Sequence, residues 1–352
     1  MKIGFDAKRY YHNHTGLGNY SRTVVGALQT GWADSVECML YDAGSFDRTF
    51  RLGRKAKADG CDLFHGLSNE LPRDVAKAGL PSLVTLHDVA WRTFPSMYHW
   101  VDRQLYDLKY GHSCRIATRV LAISESTKRD CMRFYDVPEE RIDVLYQPVG
   151  QGFYTPLTAE EADQELTKLP PLPHDFVLSV GSINARKNLL GLVKALALVP
   201  QGQRPPLVVV GNGHEYRREV ERYIAAQHMQ DDVIILGNVN DSRTLQALYS
   251  RCLLMAYPSF YEGFGLPVVE AALQRTPVLT STVSSLPEAA GDGALLVDPS
   301  SVESIHEGLV RMLDDQQLAL ALGEKAEQYA RRNFDPKTQT ERLMGIYKKL
   351  KS

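Results

Sequence analysis

The sequence predicts an α/β protein built as two doubly wound halves, and three observations carry that prediction. Short apolar runs rich in β-branched residues recur along the 352 residues, amphipathic stretches separate them, and a proline-rich charged segment divides the series. In the first half the strand candidates are Ile3–Phe5, Val36–Tyr41, Leu63–His65, Leu83–His87, Val120–Ile123 and Ile142–Leu145. In the second they are Phe176–Val180, Leu207–Val210, Val233–Leu236, Leu253–Tyr257, Val278–Thr280 and Leu295–Val297, with helical patterns such as Leu189–Leu198 and Tyr216–Gln227 between them. Strand and helix alternating at this spacing give parallel sheets covered by helices on both faces. The length is enough for two domains, each with its own core.

The divider runs from Gln151 to Asp175, with Pro156, Pro170, Pro171 and Pro173 around an acidic stretch from Glu160 to Glu165. It sets expected domains of 1–157 and 158–335. The remainder, 336–352, has Leu343, Ile346, Tyr347 and Leu350 at helical spacing. That helix either closes the second domain or returns to the first, and return is the expectation. Ligands of open α/β sheets bind beyond the carboxyl ends of the strands, so the chemistry is sought there.

Composition excludes several classes. Forty basic residues stand against 42 acidic ones, so no bulk charge points to nucleic acid. No apolar run approaches the roughly 20 residues that span a bilayer, and the first residues enter a strand pattern with no signal-peptide core. Five scattered cysteines, Cys38, Cys61, Cys114, Cys131 and Cys252, form no C-x-x-C pair and argue against a disulfide framework or a zinc site. A cytoplasmic protein is expected.

Two constellations carry chemistry. Ser259-Phe-Tyr-Glu262-Gly263-Phe264-Gly265-Leu266-Pro267-Val-Val-Glu270 follows a strand, bends at glycines and opens a helix. Free N–H groups and the positive dipole end of such a helix suit a phosphate, while Glu262 and Glu270 can each accept hydrogen bonds from sugar hydroxyls. Gly181-Ser182-Ile-Asn-Ala-Arg186-Lys187-Asn188 places two adjacent cations after a strand and before a helix. A solvated helix start is the bland explanation, but the dipole disfavours cations there. A guanidinium fork beside a compact ammonium suits a diphosphate leaving group.

These segments, together with Asp6-Ala-Lys8-Arg9, Gly16-Leu17-Gly18-Asn19-Tyr20, Leu86-His87-Asp88 and Ile123-Ser124-Glu-Ser126 in the same order, resemble the retaining nucleotide-sugar glycosyltransferases of family 4. The resemblance spans nearly the whole chain. It implies the GT-B fold, two Rossmann-like domains facing a central cleft, with an acceptor-side first domain and a donor-binding second. Residue by residue, it implies that Arg186 and Lys187 bind the donor diphosphate, Glu270 the ribose and Glu262 the donor sugar. Ser182, Gly263, Phe264, Gly265 and Leu266 then line the sugar and phosphates, and Gly237, Asn238 and Val239 form the base loop. In the first domain, Gly16 and Gly18 approach the phosphate, His87 the donor sugar, and His12, His14, Asn19 and Asp88 the acceptor side. Asn19 departs from the family pattern, where arginine is frequent.

Each assignment has a plainer rival. Gly16 and Gly18 are a lone G-x-G with Ser21 where a dinucleotide fingerprint needs glycine, so an NAD site is not expected. On sequence alone His87 reads slightly better as a structural histidine, and only its His-Asp context tips it. His65 divides evenly between cleft lining and structure. His12 and His14 have no carboxylate or cysteine to complete a metal set. Arg48, Arg51, Arg54, Lys55 and Lys57 put five cations into ten residues, with Arg48, Arg51 and Lys55 on one helical face. A solvated helix is the plainer reading of that run, and peripheral contact with an anionic membrane or a lipid pyrophosphate is the sharper one.

The expected reaction is therefore transfer of a hexose from a nucleoside diphosphate sugar to a glycan or lipid-linked glycan, in polysaccharide or lipopolysaccharide assembly. The resemblance favours GDP-mannose, with UDP-glucose next. Retention is expected by same-face attack, with Arg186 and Lys187 replacing a metal and no cofactor required. The competing class is a GT-B scaffold that binds a nucleotide sugar without turnover.

Overall fold

The computed structural model describes residues 1–13 and 16–351. The chain forms two compact units, Met1–Pro148 together with the chain from Phe334 onward, and Val149–Asn333.

The first unit holds β1 (Lys2–Asp6), β2 (Glu37–Tyr41), β3 (Leu63–Gly66), β4 (Ser82–Leu86), β5 (Arg119–Ala122) and β6 (Ile142–Val144), paired in parallel in the order β2-β1-β3-β4-β5-β6. Between the strands run α1 (Lys8–His12), α2 (Gly16–Gly31), α3 (Ser45–Phe50), α4 (Leu52–Ala58), α5 (Ala90–Thr93), α6 (Trp100–Ile116) and α7 (Glu125–Tyr135). Adjacent residues of one strand feed opposite cores, because side chains alternate across a sheet. Leu63, Leu83 and Leu121 pack with Val24, Val25 and Leu28 of α2. Phe64, Val84 and Val120 pack on the other face with Cys114 of α6 and Cys131 and Tyr135 of α7. Strands buried on both faces are written as unbroken apolar runs, which is why they were legible. Ser124 caps α7 by accepting from the Thr127 N–H at 2.9 Å.

The second unit holds β7 (Val177–Val180), β8 (Leu207–Val210), β9 (Val233–Gly237), β10 (Leu254–Tyr257), β11 (Val278–Ser281) and β12 (Ala294–Val297), parallel in the order β12-β11-β10-β7-β8-β9. Its helices are α8 (Ala159–Leu166), α9 (Leu189–Ala197), α10 (Glu215–Ala226), α11 (Ser242–Arg251), α12 (Leu266–Leu273), α13 (Leu286–Ala290), α14 (Val302–Asp314) and α15 (Gln316–Asn333). The strand order reverses between β7 and β10, the topological switch point of a doubly wound sheet.

The last helix, α16 (Pro336–Lys351), belongs to the first unit. Its Leu343, Met344, Ile346, Tyr347 and Leu350 join Ile3, Phe5 and Leu63 in one core. Burying each such side chain contributes about 1.5–3 kcal/mol. Tyr347 Oη lies 2.6 Å from His65 Nδ1, and Thr85 Oγ1 is 2.8 Å from the other ring nitrogen. His65 is thus a fully buried structural residue.

Two expectations are corrected. The unit boundary falls after Pro148, not at 157/158, and the proline-rich segment is not a free connector. Phe153 is buried, Gln274 Nε2 donates to its carbonyl at 2.8 Å, Gln246 Nε2 donates to Thr155 O at 2.8 Å, and Arg251 Nε reaches Asp163 at 2.9 Å. Prolines mark where ladders stop, but they do not show what packs on the segment. The run Arg48–Lys57 is also not one cationic face, because it breaks at Arg51 into α3 and α4. Arg48 turns inward, 12% exposed, and is hydrogen-bonded to Asp6 and 3.2 Å from Glu70.

All five cysteines are free. Among the described residues no helix is long and apolar enough to cross a membrane.

Candidate active site

Two loops leave the carboxyl ends of β7 and β10, on either side of the second sheet's switch point. The first turns at Gly181, whose φ of 136° disfavours any side chain. Asn184 then caps a single 3₁₀ turn, Ala185–Lys187, by accepting from the Lys187 N–H at 3.2 Å. Asn188 follows in the left-handed region at φ 56°, and its amide donates to Pro299 O at 2.8 Å. Arg186 and Lys187 are therefore presented from a turn fixed at both ends.

The second loop is tied to the first where the Phe260 N–H donates to Arg186 O at 2.8 Å. It carries Glu262 between the two cations. Glu262 Oε2 is 2.7 Å from Arg186 Nη1, and Oε1 is 3.0 Å from Lys187 Nζ. Tyr257 Oη and Ser259 Oγ also donate to Oε1, at 2.8 and 3.0 Å, and Lys187 Nζ lies 4.7 Å from the centre of the Tyr257 ring. Burial pushes the Glu262 carboxyl up, but Lys187 and Arg186 outweigh it and hold the group at about 2. The trio carries one net positive charge. The dipole cost of two cations before a helix is met here by a carboxylate that is 75 residues away in sequence.

Ser284 and Ser285 fix the backbone of this loop. Ser285 Oγ is 2.8 Å from both Glu262 O and Phe264 O, and the Glu262 N–H donates to Ser284 Oγ at 3.0 Å. Gly263 and Phe264 are buried. Gly265 has φ 110° and leads into Leu266, the first residue of α12, whose first turn contains Pro267. Pro267 has no N–H and the Val268 N–H donates to Gly265 O at 2.9 Å, so the N–H that the start of this helix offers is that of Leu266. Glu270 lies one turn further along α12, with Tyr249 Oη donating to its Oε2 at 2.9 Å. Burial raises this carboxyl to about 7, against the opposing effects of the Tyr249 hydrogen bond and Lys187.

The remaining expected donor residues lie on the same unit. Ser182 is exposed after β7 and accepts from Asn184 Nδ2 at 2.9 Å. Gly237 ends β9 at φ 76°, and Asn238 and Val239 follow as irregular chain.

On the first unit, Gly16 and Gly18 open α2. A Cβ on Gly18 would meet Asn13 O at 1.8 Å, so that glycine is needed for the loop to pack on the helix. His12 is the last residue of α1, and its Nε2 lies 2.9 Å from Asp42 Oδ2. Asn19 accepts from Arg22 at 2.6 Å, and Asp88 Oδ1 accepts from the Ala90 N–H at 3.2 Å. His87 is buried, donates from Nε2 to Leu67 O at 2.8 Å, and packs edge-on against Tyr20. That bond fixes the neutral tautomer and leaves Nδ1 as the acceptor nitrogen. His14 lies outside the described residues.

Sequence reasoning missed Tyr257, Ser259, Ser284, Ser285 and Tyr249. For Tyr257, Ser259, Ser284 and Ser285 the available signal was a tyrosine or serine at or just beyond the carboxyl end of a strand, whereas Tyr249 lies within α11 and carried none. Among the described residues no group of three His, Cys, Asp or Glu is placed to hold a metal.

Two doubly wound α/β units, the second with adjacent cations, a buried glutamate and a glycine-led helix at its switch point, define a glycosyltransferase with the GT-B fold. Residues 164–329 match the family model for glycosyl transferases group 1, and residues 40–150 match the model for Glycosyltransferase Family 4. O-antigen chain mannosyltransferase B of Escherichia coli is 31% identical over 283 residues, covering 78% of this chain and 72% of that protein. An O-antigen chain mannosyltransferase of Salmonella typhimurium is 25% identical, covering 72% and 65%. The solved sucrose-phosphate synthase from Thermosynechococcus elongatus superposes with a TM-score of 0.79 at 20% identity, covering 99% of both chains. The chain belongs to glycosyltransferase family 4.

Proposed function

We propose that this glycosyltransferase moves mannose from GDP-mannose to a glycan or lipid-linked glycan acceptor during assembly of an O-antigen or related surface polysaccharide. The observation that carries the donor site is the Arg186, Lys187 and Glu262 cluster at the switch point of the second sheet. Both similar mannosyltransferases act on O-antigen chains by name, which supports mannose over glucose; UDP-glucose is the second reading.

The barrier is departure of a diphosphate from an oxocarbenium-like carbon, so preorganised cations and N–H groups aimed at the leaving oxygens supply the main stabilisation. Arg186 and Lys187 bind the diphosphate in place of a metal, with the Leu266 N–H at the start of α12 as a further donor. Glu262, held by Tyr257 and Ser259, accepts from a hydroxyl of the donor sugar, and Glu270 accepts from the ribose. The base rests on the loop Gly237, Asn238 and Val239. Since Glu262 is engaged by two cations, it is a poor covalent nucleophile, which supports retention by attack on the face the leaving group vacates. The departing phosphate then takes the acceptor's proton. Five free thiols accord with a cytoplasmic site of action. Peripheral attachment to an anionic membrane falls to exposed Arg51, Arg54, Lys55 and Lys57, with Arg48 occupied inside.

The test is a thermal-shift panel of GDP, UDP, ADP and their common sugar conjugates on the wild type and on Arg186→Ala, since a ligand that binds the native state raises Tm. Stabilisation by GDP and GDP-mannose that weakens in the variant is expected. Stabilisation by UDP compounds alone would reassign the donor, and no response to any nucleotide would overturn the transferase reading.

A further inference from the structure

The first sheet has its own reversal of strand order, between β1 and β3 on one side and β1 and β2 on the other. The crevice beyond such a point is where an open α/β sheet receives a ligand. A recess of about 40 Å³, open to solvent, lies there, bounded by Asp6 at the end of β1, Arg48 of α3, Glu70 and Arg73 after β3, and Lys109 and His112 of α6. None of the last three belongs to the motifs that identify the donor site.

Its walls differ in charge. Asp6 and Glu70 are both engaged by Arg48, so the acidic wall carries at most one unmatched negative charge. On the other wall, Arg73 and Lys109 have no carboxylate partner among the described residues, and the Arg73 guanidinium only stacks over the Phe50 ring at 5.7 Å. Between them His112 Nε2 is buried with no hydrogen-bond partner, an arrangement that costs about 1–3 kcal/mol when nothing satisfies it. Burial, Arg73 and Arg115 all push the His112 pKa down, so the ring sits beside two cations. A tetrahedral oxyanion matches this wall, since its oxygens accept from the guanidinium, the ammonium and the imidazole together. Exposed apolar residues neighbour the lining along the chain. Leu105 and Leu108, one turn before Lys109 and His112 on α6, are 43% and 56% exposed, and Phe50 is 42% exposed.

We propose that this recess binds the phosphate group of an acceptor that carries a hydrocarbon chain, with Arg73, Lys109 and His112 as donors and the exposed leucines of α6 beside the chain. That the ligand is the acceptor rests on the transferase reading above; the phosphate site itself does not.

The experiment titrates the full chain by calorimetry with dodecyl phosphate, below its micelle-forming concentration, and separately with inorganic phosphate. Dodecyl phosphate is expected to bind the wild type more tightly than inorganic phosphate, and at least tenfold more weakly to Arg73→Ala/Lys109→Ala. Lys109→Gln, which keeps the side-chain length, gives the same ordering if the double variant does not fold, and the ligand-free melting curve reports folding of each protein. Equal affinity of wild type and variants for dodecyl phosphate, or no binding of either probe to the wild type, would overturn the site. Inorganic phosphate binding as tightly as dodecyl phosphate would overturn the hydrocarbon assignment. Loss of the GDP response alone, with dodecyl phosphate binding intact, would sink the transferase reading and leave the recess standing.

Discussion

Oε2 of Glu262 lies 2.7 Å from Nη1 of Arg186, a buried acid and a half-buried cation that are partners although they stand 76 positions apart in the sequence. The second carboxylate oxygen meets Lys187 at 3.0 Å. Whatever binds the two cations therefore competes with, or is shared by, this carboxylate. The variants below separate the members of the cluster.

Lys187→Ala leaves Glu262 with Arg186, Tyr257 and Ser259, so the fold survives. Transfer activity is expected to fall by about 10²–10³ in kcat, the usual loss when one preorganised group facing a developing charge is removed. Single-turnover kinetics and a melting curve on the same preparation check both halves. Turnover close to wild type would move the diphosphate site elsewhere.

Glu262→Gln strands two cations, and breaking a buried ion pair costs about 3–5 kcal/mol. The sign of the pH dependence follows from a folded carboxyl at about 2 against an ordinary value of 4.5. Its stabilisation is present above pH 4.5 and disappears as pH falls toward 2. Urea unfolding at pH 7 and at pH 3 should show the gap between wild type and variant shrinking in acid. A gap of constant size would remove the ion pair from the account.

Glu270 works in the opposite direction. Its folded pKa of about 7 lies above 4.5, so the native state binds the extra proton and stability falls as pH rises from 4.5 to 7, by an amount on the order of 1–3 kcal/mol. Glu270→Gln should flatten that slope. Nucleotide affinity should rise through pH 7 as the carboxylate ionises and becomes a better acceptor for ribose hydroxyls. Tyr249→Phe removes the hydrogen bond that lowers this pKa, so the midpoint of GDP affinity against pH should move upward. An unmoved midpoint would separate Tyr249 from the donor site.

Tyr347→Phe takes the partner from His65 Nδ1, deep in the first unit. Leaving that nitrogen unsatisfied costs about 1–3 kcal/mol. Burial drives the His65 pKa down to about 3, so the ring stays neutral and the cost should be the same at pH 6 and pH 8 by chemical denaturation. A loss that grows in acid would show that the ring protonates.

Much of the architecture was legible because fully buried parallel strands are written as short apolar runs, and each expected run lies within two residues of an observed strand. The donor segments were legible for a related reason, since Arg186 with Lys187, and Glu262 through Glu270, are short contiguous stretches at strand ends. Arg48 was not legible. Its sequence neighbours are cations, whereas the residues that turn it inward, Asp6 and Glu70, lie 42 residues before it and 22 after it. The proline-rich segment misled in the same way, since Gln246 and Gln274, which hold it to the second unit, are about a hundred residues downstream.

The sequence by itself determined the class of fold, the succession of strands and helices, and the two segments that bring cations and glutamates to strand ends. Each of these is a local property, fixed by periodicity and by the conformations glycine and proline allow. Only the tertiary structure decided that α16 completes the first unit's core, that Tyr257 and Ser259 hold Glu262, and that Tyr249 addresses Glu270. It also decided that Arg73, Lys109 and His112 share one recess. Hydrogen bonds and ion pairs form over about 3 Å in space between residues tens to hundreds of positions apart, and no local pattern encodes which of them will meet.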